Sequence, residues 1–357
     1  VSLKLQDRAG KKRRRDLPEA GRFRFIRIPS RADGDTLAGA VGTGLAQARK
    51  SLPCRFFYDE AGSRLFEEIC RLPEYYPTRT EEGILQRCAG EIIGAIGGDV
   101  ALSEFGSGSS AKTRLLIEAI LERQERLVYV PIDISAGFLE ESARALLERY
   151  RRLWLTAIGA EYNDAIPHLP RHRGPRLLLF LGGNIGNLDE PDAIAFLARV
   201  AAEMEPRDRL LVGFDRIKDA AIIETAYNDV AGITEAFNKN LLSRINRELE
   251  GGFDLHEFEH AAPFVAERSR VEMRLVSRRP QTVPVGALGQ EFVFREGEPI
   301  HTESCHKYTL EVFERQANAA GLRLEELWSD RLDWFSLALL RKGVATSRVL
   351  GGTRRES

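Results

Sequence analysis

Two stretches of this 357-residue chain carry the residue types that chemistry needs. In the first, an apolar run from Ala101 leads through Glu104 and Phe105 into Gly106, Ser107 and Gly108, and a helix-forming run through Lys112 follows at once. The spacing Gly106, Gly108, Ala111 fits the glycine turn that serves dinucleotides and adenosyl cofactors alike. Its first glycine permits the tight turn and its second lets backbone approach a ligand closely. Asp133 follows by one strand-helix-strand step, where an acid can accept both hydroxyls of a ribose. In the second stretch, Glu303, Cys305 and His306 fall within four residues. A metal site and a Cys–His nucleophile are the sharp alternatives there. In a strand, residues 305 and 306 point to opposite faces, which disfavours a dyad, and one Glu with one His makes a poor metal site. A substrate-contacting Glu303 is the more economical reading, with no metal. Between the two stretches, Gly182–Asn187 places three glycines in six residues after an apolar strand, and Asn187 offers both a donor and an acceptor.

These groups need a scaffold that gathers them. From about residue 80 to 215, strand and helix patterns alternate, with strands predicted at Val100–Phe105, Leu127–Ile134, Leu153–Ile158, Leu177–Leu181 and Leu210–Phe214. Such alternation means an α/β fold: a doubly wound parallel sheet with helices on both faces, whose ligands sit beyond the carboxyl ends of the strands. Gly106, Asp133 and Gly182–Asn187 all fall on that edge. Residues 216–307 break the rhythm. Val271, Met273 and Leu275 share one face of a half-buried strand, and Gln290–Phe294 is expected to pair with it. Two last strands, Leu322–Trp328 and Trp334–Arg341, would close the sheet. The expected core is residues 80–215 and 308–345. A second, smaller α+β lobe is expected from residues 20–79 and 216–307, with flexible tails at 1–19 and 346–357. The segment from Phe56 through Tyr58, Phe66, Tyr75 and Tyr76 is unusually aromatic, and two adjacent tyrosines before a proline cannot both face a core.

Fifty-three acids balance 52 bases, so no global field attracts nucleic acid. The basic run Lys11–Arg15 is read as a solvated tail. The four cysteines (54, 70, 88 and 305) form no C-x-x-C pair, which argues against a zinc site and a disulfide framework. No membrane-spanning apolar run appears. The expectation is a reduced, cytoplasmic protein acting on a small molecule, with no membrane, nucleic-acid or obligate protein partner.

With the segments in order, the chain resembles the histidine-specific, S-adenosyl-L-methionine-dependent methyltransferases of ergothioneine biosynthesis, over about residues 50 to 342. The motifs are Phe57-Tyr58-Asp59, Pro73 to Arg79, Glu104 to Gly108, Gly186-Asn187, Ala226 to Asp229, Phe237-Asn238 and Thr302-Glu303. The resemblance implies a Rossmann-like methyltransferase sheet with a closing antiparallel pair. It also implies methyl transfer to the α-amino nitrogen of L-histidine, giving hercynine, with S-adenosyl-L-homocysteine as the other product. It places cofactor contacts at Tyr75, Gly106, Lys112, Asp133, Glu161 and Tyr162, and substrate contacts at Tyr58, Phe66, Asn187, Tyr227, Met273 and Glu303. Within that set Tyr58 orients the amine, Asn187 and Tyr227 hold the carboxylate, Glu303 meets the imidazole and Met273 packs on the ring. One departure concerns specificity. Where the family has a serine bonded to the imidazole, this chain has Cys305, and trading a hydroxyl bond of about 1 kcal/mol for a thiol costs up to about tenfold in affinity. Another amino acid, a modified histidine, or an inactive ligand-binding relative are the competing readings, and the glycine turn alone also admits a nicotinamide dehydrogenase.

Overall fold

The computed structural model describes residues 21–29 and 36–343; the Lys11–Arg15 run and the expected tails lie outside the described residues. The chain opens with β1 (Phe23–Arg27), followed by helices α1 (Leu37–Ala46), α2 (Glu60–Ile69) and α3 (Tyr76–Ile96). Strict alternation then runs through β2 (Ala101–Phe105), α4 (Thr113–Leu121), β3 (Leu127–Asp133), α5 (Ala136–Arg149), β4 (Leu153–Gly159), α6 (Tyr162–Ala165), β5 (Arg176–Phe180), α7 (Glu190–Glu203) and β6 (Arg209–Asp215). Helices α8 (Ala220–Tyr227) and α9 (Ile233–Leu249) lead into β7 (Phe258–Ala261), β8 (Phe264–Val265), β9 (Arg270–Ser277), β10 (Gln281–Val285), β11 (Gln290–Phe294) and β12 (Pro299–His306). The described chain ends with α10 (Leu310–Ala319), β13 (Leu322–Ser329) and β14 (Phe335–Lys342).

Among the described residues the main sheet has eight strands, in the order β1-β4-β3-β2-β5-β6-β14-β13. All pairs from β1 to β6 are parallel, and β14 runs antiparallel to both β6 and β13. This is the Rossmann-like, doubly wound arrangement with a closing antiparallel pair that the alternation and the resemblance predict. Its strand order reverses beside β2, so the turns after β2 and β5 flank the switch point where ligands bind. The central strands are fully buried and read as continuous apolar runs, because helices cover both faces.

A separate apolar core draws on residues 37–76 and 223–305 and includes Phe57, Tyr76, Leu241 and Met273. Within this second lobe β12, β9 and β7 form one antiparallel sheet, with β8 on β9. Three expectations need correction. Gln290–Phe294 does not pair with the strand at Val271–Leu275; it closes a hairpin with β10, Gln281 opposite Phe294. Both edges of β9 are taken by β12 and by β7 with β8, and the short connection through Gly286–Gly289 makes the local hairpin the less costly closure. Phe23–Arg27, expected in the second lobe, instead lies parallel to β4 and extends the main sheet. Its apolar residues serve both faces, Phe23 and Phe25 on one and Ile26 on the other, and it covers an edge that β4 would otherwise expose. Helix α3 also runs across the expected boundary at residue 80.

Candidate active site

The carboxyl ends of β2, β3 and β5 bring the first set of groups together. Gly106 adopts φ 73°, which favours glycine, and a Cβ there would lie 2.6 Å from Tyr162 Oη and 2.7 Å from Asn184 Nδ2. Asp133 ends β3, and its two carboxylate oxygens accept from the backbone amides of Gly108 and Ser135, each at 3.0 Å. Burial holds this carboxyl above its ordinary range despite those amides. The Tyr162 ring packs edge-on to Phe105 and Phe180, and Glu161 pairs with Arg55 at 3.0 Å. Lys112 is held by Glu81, whose carboxylate also receives the Gly182 amide at 2.9 Å. Burial opposes the Lys112 charge, but Glu81 outweighs it and keeps the ammonium's pKa raised. A buried acid at a strand end, beside glycine backbone with open space at Gly108, fits the ribose and chain of an adenosyl cofactor.

Next to this edge lies a cleft between the sheet and the second lobe. Tyr58, Phe66, Tyr75, Asn187, Tyr227, Met273, Glu303 and Cys305, all singled out in the sequence, line it. Gly106, Lys112, Asp133, Glu161 and Tyr162 do not; Gly106 adjoins it through Asn184 and Lys112 through Gly182, which do.

The local sequence explains each position. Tyr58 precedes Asp59, which caps α2 by accepting the Gly62 amide at 2.8 Å and is clamped from α9 by Asn240 at 2.9 Å and Arg247 at 2.5 Å. Tyr58 then stands edge-on to Phe66 and Phe237. Asn187 ends a tight helical turn whose glycines answer a close approach, since a Cβ on Gly186 would lie 2.7 Å from the His306 carbonyl oxygen. Asp229 accepts the Ile233 and Thr234 amides at the start of α9, both at 2.8 Å, and His260 Nε2 bonds the Tyr227 carbonyl at 2.9 Å, so the end of α8 is pinned. Glu303 lies directly across from Met273, just past a register shift in β12. The fully buried Asn238 braces this pair of strands, donating to the Arg274 carbonyl and accepting from Thr302 at 2.7 Å.

Asn187 Nδ2 donates to Glu303 Oε1 at 3.0 Å. Burial pushes the Glu303 carboxyl up to about 7, although Lys307 pulls the other way. Burial, and then the neighbouring Glu303, hold the Tyr58 phenol well above its usual range, so it stays protonated. Cys305 faces the cleft, whereas His306 on the opposite face bonds Asp189 at 2.9 Å, as strand alternation requires.

Lys307 and Asp215 escaped the sequence reading, and both line the cleft. They form a buried pair at 2.8 Å, and Asp215 also receives Lys218 at 2.5 Å and the Tyr76 hydroxyl at 2.8 Å. The same two-residue period that puts Glu303 and Cys305 on one face would have put Lys307 there too.

A family model described as "Histidine-specific methyltransferase, SAM-dependent" matches residues 37–342. The histidine N-alpha-methyltransferase of Mycolicibacterium smegmatis is 42% identical over 305 residues, covering 85% of this chain and 94% of that protein. Ergothioneine biosynthesis protein 1 of Neurospora crassa is 30% identical over 285 residues, 78% of this chain and 32% of that longer protein. An L-tryptophan methyltransferase of Psilocybe serbica is 28% identical over 337 residues, covering 85% and 92%. With the sheet order, the glycine turn at its switch point and a match across most of its length, the chain belongs to the histidine-specific, S-adenosylmethionine-dependent methyltransferases.

Proposed function

We propose that this enzyme methylates the α-amino nitrogen of L-histidine, the hercynine-forming step of an ergothioneine-type pathway. The observation that carries the reading is the convergence of Tyr58, Asn187, Tyr227, Met273 and Glu303 on one cleft beside the glycine turn. When bound, S-adenosylmethionine supplies an electrophilic methyl group and leaves as S-adenosylhomocysteine. Asp133 would hold its ribose, Gly106 its backbone-facing side, Lys112 and Tyr75 its amino-acid end, and Glu161 with Tyr162 its adenine.

On the substrate side, the Asn187 amide and the Tyr227 hydroxyl donate to the histidine carboxylate. Glu303 accepts from an imidazole N–H, and Met273 and Phe66 pack against the substrate. The amine attacks only as a free base. Tyr58, kept as a neutral phenol, cannot serve as a strong base at neutral pH. It orients the nitrogen by accepting a hydrogen bond, and the proton leaves to solvent. Alignment then supplies most of the acceleration. The pairing of Glu303 with Met273 favours imidazole over indole, and Cys305 is the position at which another amino acid or a modified histidine would be admitted. Free thiols at all four cysteines are consistent with a reducing, cytoplasmic setting, and among the described residues no helix is long and apolar enough to cross a membrane.

Mass spectrometry of the protein incubated with S-adenosylmethionine and the twenty amino acids tests the proposal. Methyl increments on histidine alone support it; a different methylated amino acid, or none, overturns it.

A further inference from the structure

Lys307 lies one alternation beyond Cys305, with its side chain fully excluded from solvent. Its ammonium has three N–H donors, and three acceptors surround it: Asp215 Oδ2 at 2.8 Å, Tyr227 Oη at 2.9 Å and Cys305 Sγ at 3.2 Å. Because the Tyr227 oxygen accepts from a cation, its own hydrogen needs a different acceptor. It goes to Cys305 Sγ at 2.9 Å, a thiol that lines the cleft and that Lys307 also reaches. A hydroxyl whose oxygen receives a charged donor is itself a stronger donor, more so where water is excluded. The charges point the same way. Asp215 is shared by Lys307 and Lys218, so two cations meet one carboxylate and a positive charge is left behind Tyr227. The ammonium also sits 4.7 Å from the centre of the Tyr227 ring.

The geometry points to Lys307 as a positioning residue: it aims the Tyr227 hydrogen into the cleft and backs it with positive charge for the carboxylate of the bound amino acid. This rests on the reading above, in which Tyr227 holds that carboxylate. Lys307 acts through Tyr227 and touches no reacting atom. Its removal leaves Asp215 still paired with Lys218 and Tyr76, so no buried charge is orphaned.

The test is calorimetry on protein saturated with S-adenosylhomocysteine. L-histidine is titrated against wild type, K307M, Y227F and the double variant, and histamine, which keeps the imidazole and amine but lacks the carboxylate, is titrated in parallel. Lys307→Met is expected to weaken histidine about tenfold or more while histamine and S-adenosylhomocysteine change by no more than about twofold. In the Tyr227→Phe background the same change should have almost no further effect. Lys307→Gln, which keeps a neutral donor, should also weaken histidine and spare histamine, and it carries the test should the methionine variant fail to fold. Equal losses for histidine and histamine, or fully additive effects in the double variant, would reduce Lys307 to a structural ion-pair member and overturn the proposal. Wild type that neither binds nor methylates histidine overturns the functional reading itself, a separate outcome from unchanged histidine affinity in K307M.

Discussion

Glu303 keeps a carboxyl where water barely reaches, facing Lys307 along its own strand, Asn187 from the sheet lobe, and Tyr58 and Cys54 from the second-lobe entry. Burial raises its folded-state pKa from 4.5 to about 7. An acid shifted upward stabilises the fold fully below its unfolded value and loses that contribution as pH rises through the folded one. The Glu303 contribution is therefore complete below 4.5 and gone above about 7. Glu303→Gln removes the titration: its melting temperature should match wild type near pH 5 and exceed it by roughly a few degrees at pH 8 in ligand-free protein. A constant difference across that range, followed by scanning calorimetry, would place the carboxyl in contact with water. Asn187→Ala and Tyr227→Phe each remove a donor to the proposed substrate carboxylate. Each is expected to raise the histidine dissociation constant roughly ten- to hundredfold and to leave S-adenosylhomocysteine affinity intact, both read by calorimetry.

Several motif residues that look chemical turn out to be builders of elements. Asp59 is the cap of α2 and the clamp between α2 and α9, Asp229 accepts the first amides of α9, and Asn238 ties α9 to β9 and β12. Their effect on the site is indirect, through the placement of Tyr58, Tyr227 and Glu303. Asp59→Ala loses a cap and leaves Asn240 and Arg247 without their shared acceptor, a cost of about 1–2 kcal/mol. It should lower the melting temperature and raise the histidine KM while kcat at saturating histidine falls less. A variant with normal stability and an unchanged KM would mean that Tyr58 does not depend on this cap. The register shift within β12 belongs to the same scale. Just past it, Glu303 stands opposite Met273 and faces the cleft with it.

For the molecule as a whole, the cleft is a seam between an apolar core of the second lobe and those on the two faces of the main sheet. Among the polar ties that cross it, a buried one joins Asp215 at the end of β6 to Lys307, a middle one joins Asn187 to Glu303, and an outer one joins Asp189 to Arg270 and His306 at 2.9 Å each. Asp189 is 59% exposed, so its pairs contribute no more than about 1 kcal/mol. Asp189→Ala should accordingly raise the histidine KM only about two- to fivefold and leave the melting temperature within about 2 °C, measured by steady-state kinetics and thermal denaturation. A hundredfold loss would instead make the outer tie a principal support of the Asn187 turn.

The linear chain determined the periodicities, and these were enough for the doubly wound sheet, the glycine turn after β2, the acid at the end of β3 and the opposite faces of Cys305 and His306. Each depends on near neighbours alone: backbone sterics, alternation, and caps that reach a few positions along the chain. Only the tertiary structure decided which partner β11 takes, that β1 completes the main sheet, and that Lys307 meets Asp215 and Tyr227 beneath the cleft. Those outcomes are contests between distant segments for a free strand edge or for a counter-charge in a dry interior, and such contests are settled only when the whole chain has folded.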